Sequence, residues 1–549
     1  MTSRSTSTAN AGAASASYTS RPDSVLLALC FVILGLTVAY PTLRLLAQAI
    51  AHWQPDALAR KGGWIALRNT AFISLLSVIC AGSVGTGLAL ALARYSFPGR
   101  RIVAALAYLP FTLPPLVGVV SFYYIIGRDG FIPRMLEQSF GWKHAALEGP
   151  GAILLIHTYS FFVFFYAMVS ASLETMDASL IEAARTLGAS RWRVFTRVTL
   201  PLLRPALFGA ALLTFMSSGA SFSAPLIFGN DYPMLSVRIY EEQSAHNDAI
   251  AQTLTVVLAA VSLLGVLVFR SSRAARSGAS KGVRKPIRSA AGRWAAFAGA
   301  VVAMLVLLAP HITILWLSFI DHRKWYAEVF PTVWTLENYA SIFRDPSAFG
   351  PIRNSLWMSA VAAIATLLVA LPAAYLIARR RRGGRWVNAL VMVPWALPGT
   401  VIAINLIVAF NDKWLPLVGT VWMLPLAYFV RNVPLMTRFC ASAIEPFDAS
   451  LIEAGRSLGA SPSYCFRRIV LPLVAPAIGA GLALVFATSL GEFVASVLLW
   501  VPANIPIAVQ INSAWRGSGI GAAFAYSVLL MVLVGATYWV SRRFSSRVV

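Results

Sequence analysis

The chain has 549 residues, of which 58% are hydrophobic and 12% are charged. About a quarter of the residues of soluble globular domains are charged, so this composition, with a mean hydropathy of +0.70, excludes an ordinary soluble protein. The net charge of +24 is compatible with nucleic-acid binding only if the charges are not explained by membrane topology.

The N-terminal segment differs in composition from the rest of the chain. Residues 1–22 are rich in Ser, Ala and Thr and have no apolar period, which predicts a disordered cytoplasmic tail. The apolar run from Ser24 to Tyr40 is longer than the 7–15 residues of a signal-peptide core. We therefore expect this run to be the first membrane-spanning helix.

Apolar stretches of about 20 residues, the length needed to cross a bilayer, recur through the rest of the chain. They predict an all-α polytopic membrane protein of about twelve transmembrane helices, in two parallel six-helix repeats at 23–270 and 294–549. Residues 271–293 are basic and form the predicted cytoplasmic linker. The expected spans lie near 24–43, 69–93, 102–127, 150–173, 203–229, 248–269, 294–320, 355–378, 386–410, 415–437, 474–500 and 521–541.

Lys and Arg residues predict the orientation, because cytoplasmic loops of membrane proteins carry an excess of them. With the N-terminus inside, the predicted periplasmic segments hold 14 of the 45 Lys and Arg residues and 13 of the 21 acidic residues. The positive charge is therefore a topology signal, and we expect no nucleic-acid partner. This orientation places both termini in the cytoplasm.

One polar stretch occurs twice between the apolar segments. Residues 174–205 and 445–476 align without a gap, and 19 of their 32 positions are identical. A second similar pair, 109–120 and 393–404, extends the duplication. Because each half has an even number of spans and starts inside, the two repeats are parallel and related by an axis along the membrane normal.

Each polar stretch predicts a helix–turn–helix on the cytoplasmic face. Asp177 can cap the first helix, Gly188 suits its left-handed end, and Pro201 begins or kinks the next span. Gly459 and Pro472 take the same places in the second copy. An amphipathic hairpin bound to anionic lipid is an alternative. The duplicated order of residues favours a two-fold protein partner, because lipid attraction requires only charge.

The two sequences EAARTLGAS…LP and EAGRSLGAS…LP resemble the coupling motif of permease subunits in binding-protein-dependent ABC importers. The resemblance covers nearly the whole chain, and the fused arrangement is similar to the double permeases of ferric iron, thiamine and phosphonate importers. In that family the motif forms a coupling helix that docks on a cytoplasmic ATPase. The resemblance assigns ATPase coupling to Glu182, Ala183, Ala184, Gly188, Pro201, Glu453, Ala454, Gly455, Gly459 and Pro472.

The resemblance implies a type I importer permease of the bacterial inner membrane, in the lipid bilayer. It further implies a cytoplasmic ABC ATPase dimer and a periplasmic solute-binding protein as partners. The sequence has no GxxxxGK[ST] motif, so ATP and Mg²⁺ are expected on the ATPase, and we expect no catalytic residue, metal or cofactor in this chain. Ferric iron or an organophosphonate such as 2-aminoethylphosphonate is the leading solute. Gly455, usually Ala in the motif, predicts a looser helix and unequal ATPase contacts.

A set of polar residues lies on the two predicted spans that follow the repeated stretches. Glu492 is expected about two-thirds of the way along its helix, and intramembrane acids usually face a cavity or a partner. We interpret the set as lining or gating a pathway, with helix packing as the alternative. A carboxylate in the pathway would suit a cationic or zwitterionic solute. The set comprises Ser218, Ser221, Ser489, Glu492 and Ser496.

Two other function classes remain open on the sequence alone. An ion-coupled secondary transporter with parallel repeats needs titratable groups in the membrane, and Glu492 is nearly alone there. A membrane receptor or scaffold would bind a partner through the repeated stretches without moving a solute.

Overall fold

The computed structural model describes residues 21–59, 62–143, 145–268, 285–287, 289–323, 328–445, 450–517 and 519–545. Most of the predicted tail and most of the predicted linker lie outside these ranges. Within them the chain is helical, apart from connecting segments and one short strand pair, β1 (Tyr95–Ser96) with β2 (Lys285–Pro286), which runs parallel.

The first half contains short helices between longer membrane helices. Its helices are α1 Arg21–Leu34, α2 Tyr40–Ala51, α3 Pro55–Ala59, α4 Gly63–Arg94, α5 Arg100–Leu106, α6 Pro115–Ile126, α7 Phe131–Phe140, α8 Gly149–Thr175, α9 Ala178–Thr186, α10 Arg191–Val194, α11 Leu200–Gly219, α12 Ser223–Phe228, α13 Leu235–Ser244 and α14 Asp248–Val268.

The second half repeats this order, except that no described helix corresponds to α7. Its helices are α15 Ala290–Leu317, α16 Glu337–Arg344, α17 Pro346–Ala378, α18 Gly384–Ala396, α19 Gly399–Phe410, α20 Met423–Ile444, α21 Ser450–Ser457, α22 Pro462–Cys465, α23 Leu471–Leu490, α24 Ser496–Leu499, α25 Ile507–Arg516 and α26 Ile520–Ser545.

Nine helices of the described chain are long and apolar enough to cross a membrane, and two bent helix pairs bring the number to eleven. The all-α polytopic fold is therefore confirmed. The predicted spans near 102–127 and 386–410 are wrong as straight helices. The first bends by 109° before α6, and the second bends by 112° between α18 and α19.

Prolines cause both bends. A residue that precedes proline is displaced from the helical region by contact with the proline ring. Leu113 has φ −91° and ψ 112° before Pro114, and Leu397 has φ −106° and ψ 132° before Pro398. Each proline then serves as the N-cap of the next helix, so the chain turns sharply at equivalent points of the two halves.

The predicted spans near 203–229 and 474–500 are also interrupted. Helix α11 ends at Gly219 and α23 ends at Leu490, and in each half a short helix follows after a break. The Ser and Gly residues at these ends have low helix propensity. Glu492 therefore lies in the break after α23, and the prediction that it sits inside a helix is wrong.

Pro201 does not begin a span, because the helix is continuous from Arg191 to Gly219. The five residues before Leu200, Phe195–Thr199, form a π-helical turn, and Phe466–Val470 do so in the second half. A proline inside a helix lacks an N–H group and its ring collides with the carbonyl four residues earlier. The wider turn accommodates Pro201 and leaves the helix unbroken.

The first helix of each half packs on the other half. Helix α15 lies against α5 and α6, and α1 and α2 lie against α17, α18 and α19. The Ser121 hydroxyl donates to the Pro310 carbonyl at 2.7 Å, and Arg44 pairs with Asp412 at 2.9 Å. The two repeats are therefore interlocked through their first helices.

Candidate coupling surface and membrane pathway

The first polar stretch folds as two helices around a tight turn. The Asp177 carboxylate accepts a hydrogen bond from the Ser179 N–H at 2.9 Å and caps α9. Gly188, with φ +80°, ends this helix, and the Ala189 N–H reaches back to the Ala184 carbonyl at 3.0 Å. That pair of features is the Schellman motif, in which glycine supplies the left-handed residue.

The second polar stretch has the same turn. Gly459 has φ +83°, and the Ala460 N–H donates to the Gly455 carbonyl at 3.1 Å. The Ser461 hydroxyl then accepts from the Tyr464 N–H at 3.2 Å and caps α22. Residues 446–449, which precede this helix, lie outside the described chain.

The tip of each turn exposes a leucine. The side chain of Leu187 is 88% exposed and that of Leu458 is 89% exposed. Glu182 and Ala454 are also exposed. Isolated exposed leucines are common, but the same leucine at the tip of both copies forms a matched apolar pair that a partner can bury.

These two leucines are not among the residues assigned from the coupling motif. The Leu-Gly dipeptide present in both copies was the available sequence signal. Ala183 is exposed and Ala184 is half-buried on the first helix, while Pro201 and Pro472 follow the π-helical turns. The described chain gives no side-chain environment for Glu453.

Side-chain packing explains why position 455 is glycine and not alanine. A Cβ atom at position 455 would lie 3.1 Å from Cδ1 of Ile469 and 3.2 Å from Sγ of Cys465. In the first copy Ala184 occupies this position, and the residue aligned with Ile469 is the smaller Val198. The methyl group missing from Gly455 thus makes room for the additional methylene of Ile469.

The polar residues of the first half meet inside the helix bundle. The Ser218 hydroxyl donates to Ser77 Oγ at 3.2 Å and lies 3.0 Å from His157 Nδ1, and Ser77 Oγ lies 3.1 Å from the same nitrogen. All three residues are buried. Ser221 is half-buried, and its carbonyl accepts from the Ser236 hydroxyl at 2.5 Å.

The second half has a different network at equivalent positions. Ser489 donates to the Val485 carbonyl at 2.8 Å and accepts from Asn432 Nδ2 at 3.2 Å. The Thr488 hydroxyl donates to Asn432 Oδ1 at 2.7 Å. Buried polar groups satisfied in this way hold neighbouring helices together.

Glu492 is a buried helix cap. Its carboxylate accepts from the Ala495 N–H at 3.0 Å, from the Ser496 N–H at 2.9 Å and from the Ser496 hydroxyl at 3.0 Å. The Tyr428 hydroxyl and Ser496 Oγ lie 2.8 Å apart. The hydrogen bonds of this set are those of helix packing, and none of Ser218, Ser489, Glu492 and Ser496 is exposed.

A family model decides between the function classes. The model "Binding-protein-dependent transport system inner membrane component" matches residues 83–276 and again residues 367–548. The chain belongs to this family. It is a double permease, a multi-pass inner membrane subunit without catalytic activity of its own. No group of three His, Cys, Asp or Glu residues in the described ranges could hold a metal ion.

Curated relatives agree with this assignment. A probable ABC transporter permease protein y4fN of Sinorhizobium fredii is 30% identical over 461 residues, which cover 81% of each chain. The ferric transport system permease protein FbpB of Actinobacillus pleuropneumoniae is 28% identical over 86% of this chain and 69% of its own. A putative 2-aminoethylphosphonate permease, PhnV of Salmonella choleraesuis, is 27% identical over 45% of this chain and 93% of its own.

Replacement of Glu492 by alanine is expected to destabilise the permease. The variant leaves two buried N–H groups and one hydroxyl without their acceptor, which costs about 1–3 kcal/mol. Glu492→Gln retains one acceptor oxygen, so its melting temperature should lie between those of the wild type and Glu492→Ala. Thermal unfolding of the detergent-solubilised permease measures both variants, and an unchanged melting temperature for Glu492→Ala would contradict the capping role.

Proposed function

We propose that this permease carries a small solute from the periplasm to the cytoplasm in an ATP-driven importer, and that α9–α10 and α21–α22 are its two ATPase contacts. The matched exposed turns with Leu187 and Leu458 at their tips are the observation that supports this proposal most strongly. Two similar exposed turns can each contact one subunit of an ATPase dimer. The solute is delivered by a periplasmic binding protein.

The coupling turn connects directly to the membrane core. The helix that begins at Arg191 continues without a break to Gly219, a length of about 43 Å. A displacement of the turn by the closing ATPase is therefore transmitted as a rigid movement to the break after Gly219. The same connection runs from Arg467 to Leu490 in the second half. ATP and Mg²⁺ are bound by the ATPase, and their hydrolysis resets the inward-facing state.

Charge reversal at Glu182 and Glu453 together is expected to weaken ATPase docking and to abolish most uptake. The expectation rests on the exposure of Glu182 and on the identical motif position of Glu453. Co-purification with the ATPase and solute uptake measure the effect. Glu137→Lys with Asp231→Lys, two exposed acids on the opposite side, is the matched control. Co-purification and uptake at the wild-type level in the Glu182→Lys/Glu453→Lys variant would remove these residues from coupling.

Ferric iron or an organophosphonate such as 2-aminoethylphosphonate is the proposed solute. The support is the similarity to permeases named for ferric iron and for 2-aminoethylphosphonate transport. Titration of the periplasmic binding protein that serves this permease with both compounds tests the choice, and binding of neither compound would contradict it.

We further propose that both termini lie in the cytoplasm. The basic segment 271–293 and the two polar stretches would then share one side of the membrane, in agreement with the distribution of Lys and Arg. A reporter enzyme that is active only in the periplasm should be inactive when it is fused after residue 549. Activity of this fusion would contradict the orientation.

A further inference from the structure

Helix α20 has one exposed stripe, and that stripe is polar. Arg431, Arg438 and Ser442 are exposed and Leu435 is half-buried, whereas most other residues of the helix are buried. The spacing of four, three and four residues places these side chains on one face of the helix. The exposed side chains of α20 are therefore concentrated on one stripe of an otherwise buried helix.

The exposed stripe of α20 is not a lipid-facing surface. Helices that face lipid expose large apolar side chains, and α20 exposes none within its described length, Met423–Ile444. Two arginines on one stripe inside a membrane protein face water or a partner, since a charged side chain is costly in hydrocarbon. The contrast is clear in α4, which exposes Phe72, Leu75 and Ile79.

The exposed part of the stripe lies toward one end of α20. Arg431 lies about 12 Å of helix from the start of α20 and about 20 Å from its end. None of the residues 423–430 is exposed, so the exposed part begins at Arg431 and continues to Ser442, toward the coupling turn. The stripe is therefore exposed toward the end of α20 that precedes the coupling turn, where Arg438 lines a cavity of about 910 Å³ together with residues of α1 and of the α17–α18 connection.

Neither arginine of the stripe forms an ion pair with a residue that the structure describes. Arg431 forms no salt bridge with any described residue, and its Nη1 would lie 2.7 Å from a Cβ atom built on Gly399. Arg438 donates to the thioether of Met392 at 3.3 Å, a weak acceptor. The Glu492 carboxylate is occupied by N–H groups of its own segment. The charge of the stripe is thus positive, and no acidic side chain in the described ranges pairs with it.

The first half contributes no opposite charge at the equivalent stripe. The aligned residues of α8 are uncharged, and they are Ser160, Phe164, Ala167 and Ala171. The positive charge at this stripe is consequently contributed by the second repeat alone.

We propose that the solute crosses this permease as an anion and that Arg431 and Arg438 are the residues that select its charge. The inference rests on the proposed import function and narrows its substrate class. A guanidinium binds phosphonate or carboxylate oxygens through two parallel hydrogen bonds. An organophosphonate fits this description, and ferric iron fits it only inside an anionic complex. Of the cationic or zwitterionic solutes suggested by Glu492, only one that also carries an anionic group, such as 2-aminoethylphosphonate, fits these arginines.

The test uses the permease with its ATPase and binding protein in proteoliposomes, with radiolabelled 2-aminoethylphosphonate and radiolabelled ferric ion as separate probes. Arg431→Glu is expected to lower uptake at least tenfold, while ATP hydrolysis stimulated by the loaded binding protein stays within twofold of the wild type. Arg431→Lys keeps the charge but loses the paired hydrogen bonds of the guanidinium, so it should retain more uptake than Arg431→Glu. Arg101→Ala, which removes an exposed arginine from α5, is the matched control and should transport normally.

Wild-type uptake by Arg431→Glu would overturn the proposal, as would a parallel loss of uptake and stimulated ATP hydrolysis, which marks a structural role. If Arg431→Glu lowers the melting temperature, Arg438→Glu is the second variant, and normal uptake by it also overturns the proposal. If the wild type imports neither probe with ATP, the proposed solutes fail instead, which is a separate result.

Discussion

Replacing Leu187 and Leu458 by aspartate in one variant is expected to abolish ATP-driven uptake. These leucines are 88% and 89% exposed at the tips of the two coupling turns, and burial of each in a partner contributes about 1.5 kcal/mol or more. Two such losses correspond to a decrease in affinity of about 100-fold. Binding of the purified ATPase to the solubilised permease measures the effect directly.

The matched control for this variant is Leu336→Asp. Leu336 is 68% exposed and lies before α16, outside both coupling turns. The control should bind the ATPase as the wild type does. Wild-type affinity in the Leu187→Asp/Leu458→Asp variant would show that the leucine tips are not contact residues.

Replacing Gly85 by alanine is expected to be among the most damaging single substitutions in the membrane core. A Cβ atom there would overlap the carbonyl oxygen of Phe162 and lie 2.7 Å from Cβ of Phe165, so α4 and α8 would have to separate. Overpacking of this kind costs about 3 kcal/mol. A lower melting temperature and a lower yield of folded permease are the expected results.

Gly87 provides the control for this substitution. It lies two residues further along α4, and a Cβ atom built there meets no other atom within 4 Å. Gly87→Ala should therefore unfold at the wild-type temperature or slightly above it. Equal melting temperatures for Gly85→Ala and Gly87→Ala would contradict the close packing of α4 on α8.

The two halves have different residues at this helix contact. The residue aligned with Gly85 through the Arg-Asn pairs at 68 and 353 is Ala370, which is fully buried on α17. A methyl group is thus accepted in the second half and excluded in the first. The pseudo-symmetry fixes which helices meet, while local packing fixes the side chains.

Composition and the internal repeat were sufficient to predict the helical membrane architecture, because the length of an apolar segment decides whether it can cross a bilayer. The bends before Pro114 and Pro398 were not anticipated, since hydropathy continues through them without interruption. The prolines themselves were visible in the sequence. They determine the local backbone, but the angle of each bend depends on the helices packed around it.

The coupling turns were accessible from the sequence through Gly188 and Gly459, whose left-handed conformation a helix end requires. The cap formed by Glu492 was not accessible, because it depends on a break after α23 that only tertiary packing defines. Arg431 lies inside the predicted span near 415–437, and a charge in a span was the available signal. The exposure of the Arg431 side chain depends on how the helices pack, so it could not be predicted from the sequence.

The most direct test of the account is solute uptake into proteoliposomes that contain the permease with and without its ATPase. We predict accumulation only when the ATPase, ATP and the loaded binding protein are all present. Uptake by the permease alone under an ion gradient would contradict an ATP-driven importer and would identify a secondary transporter.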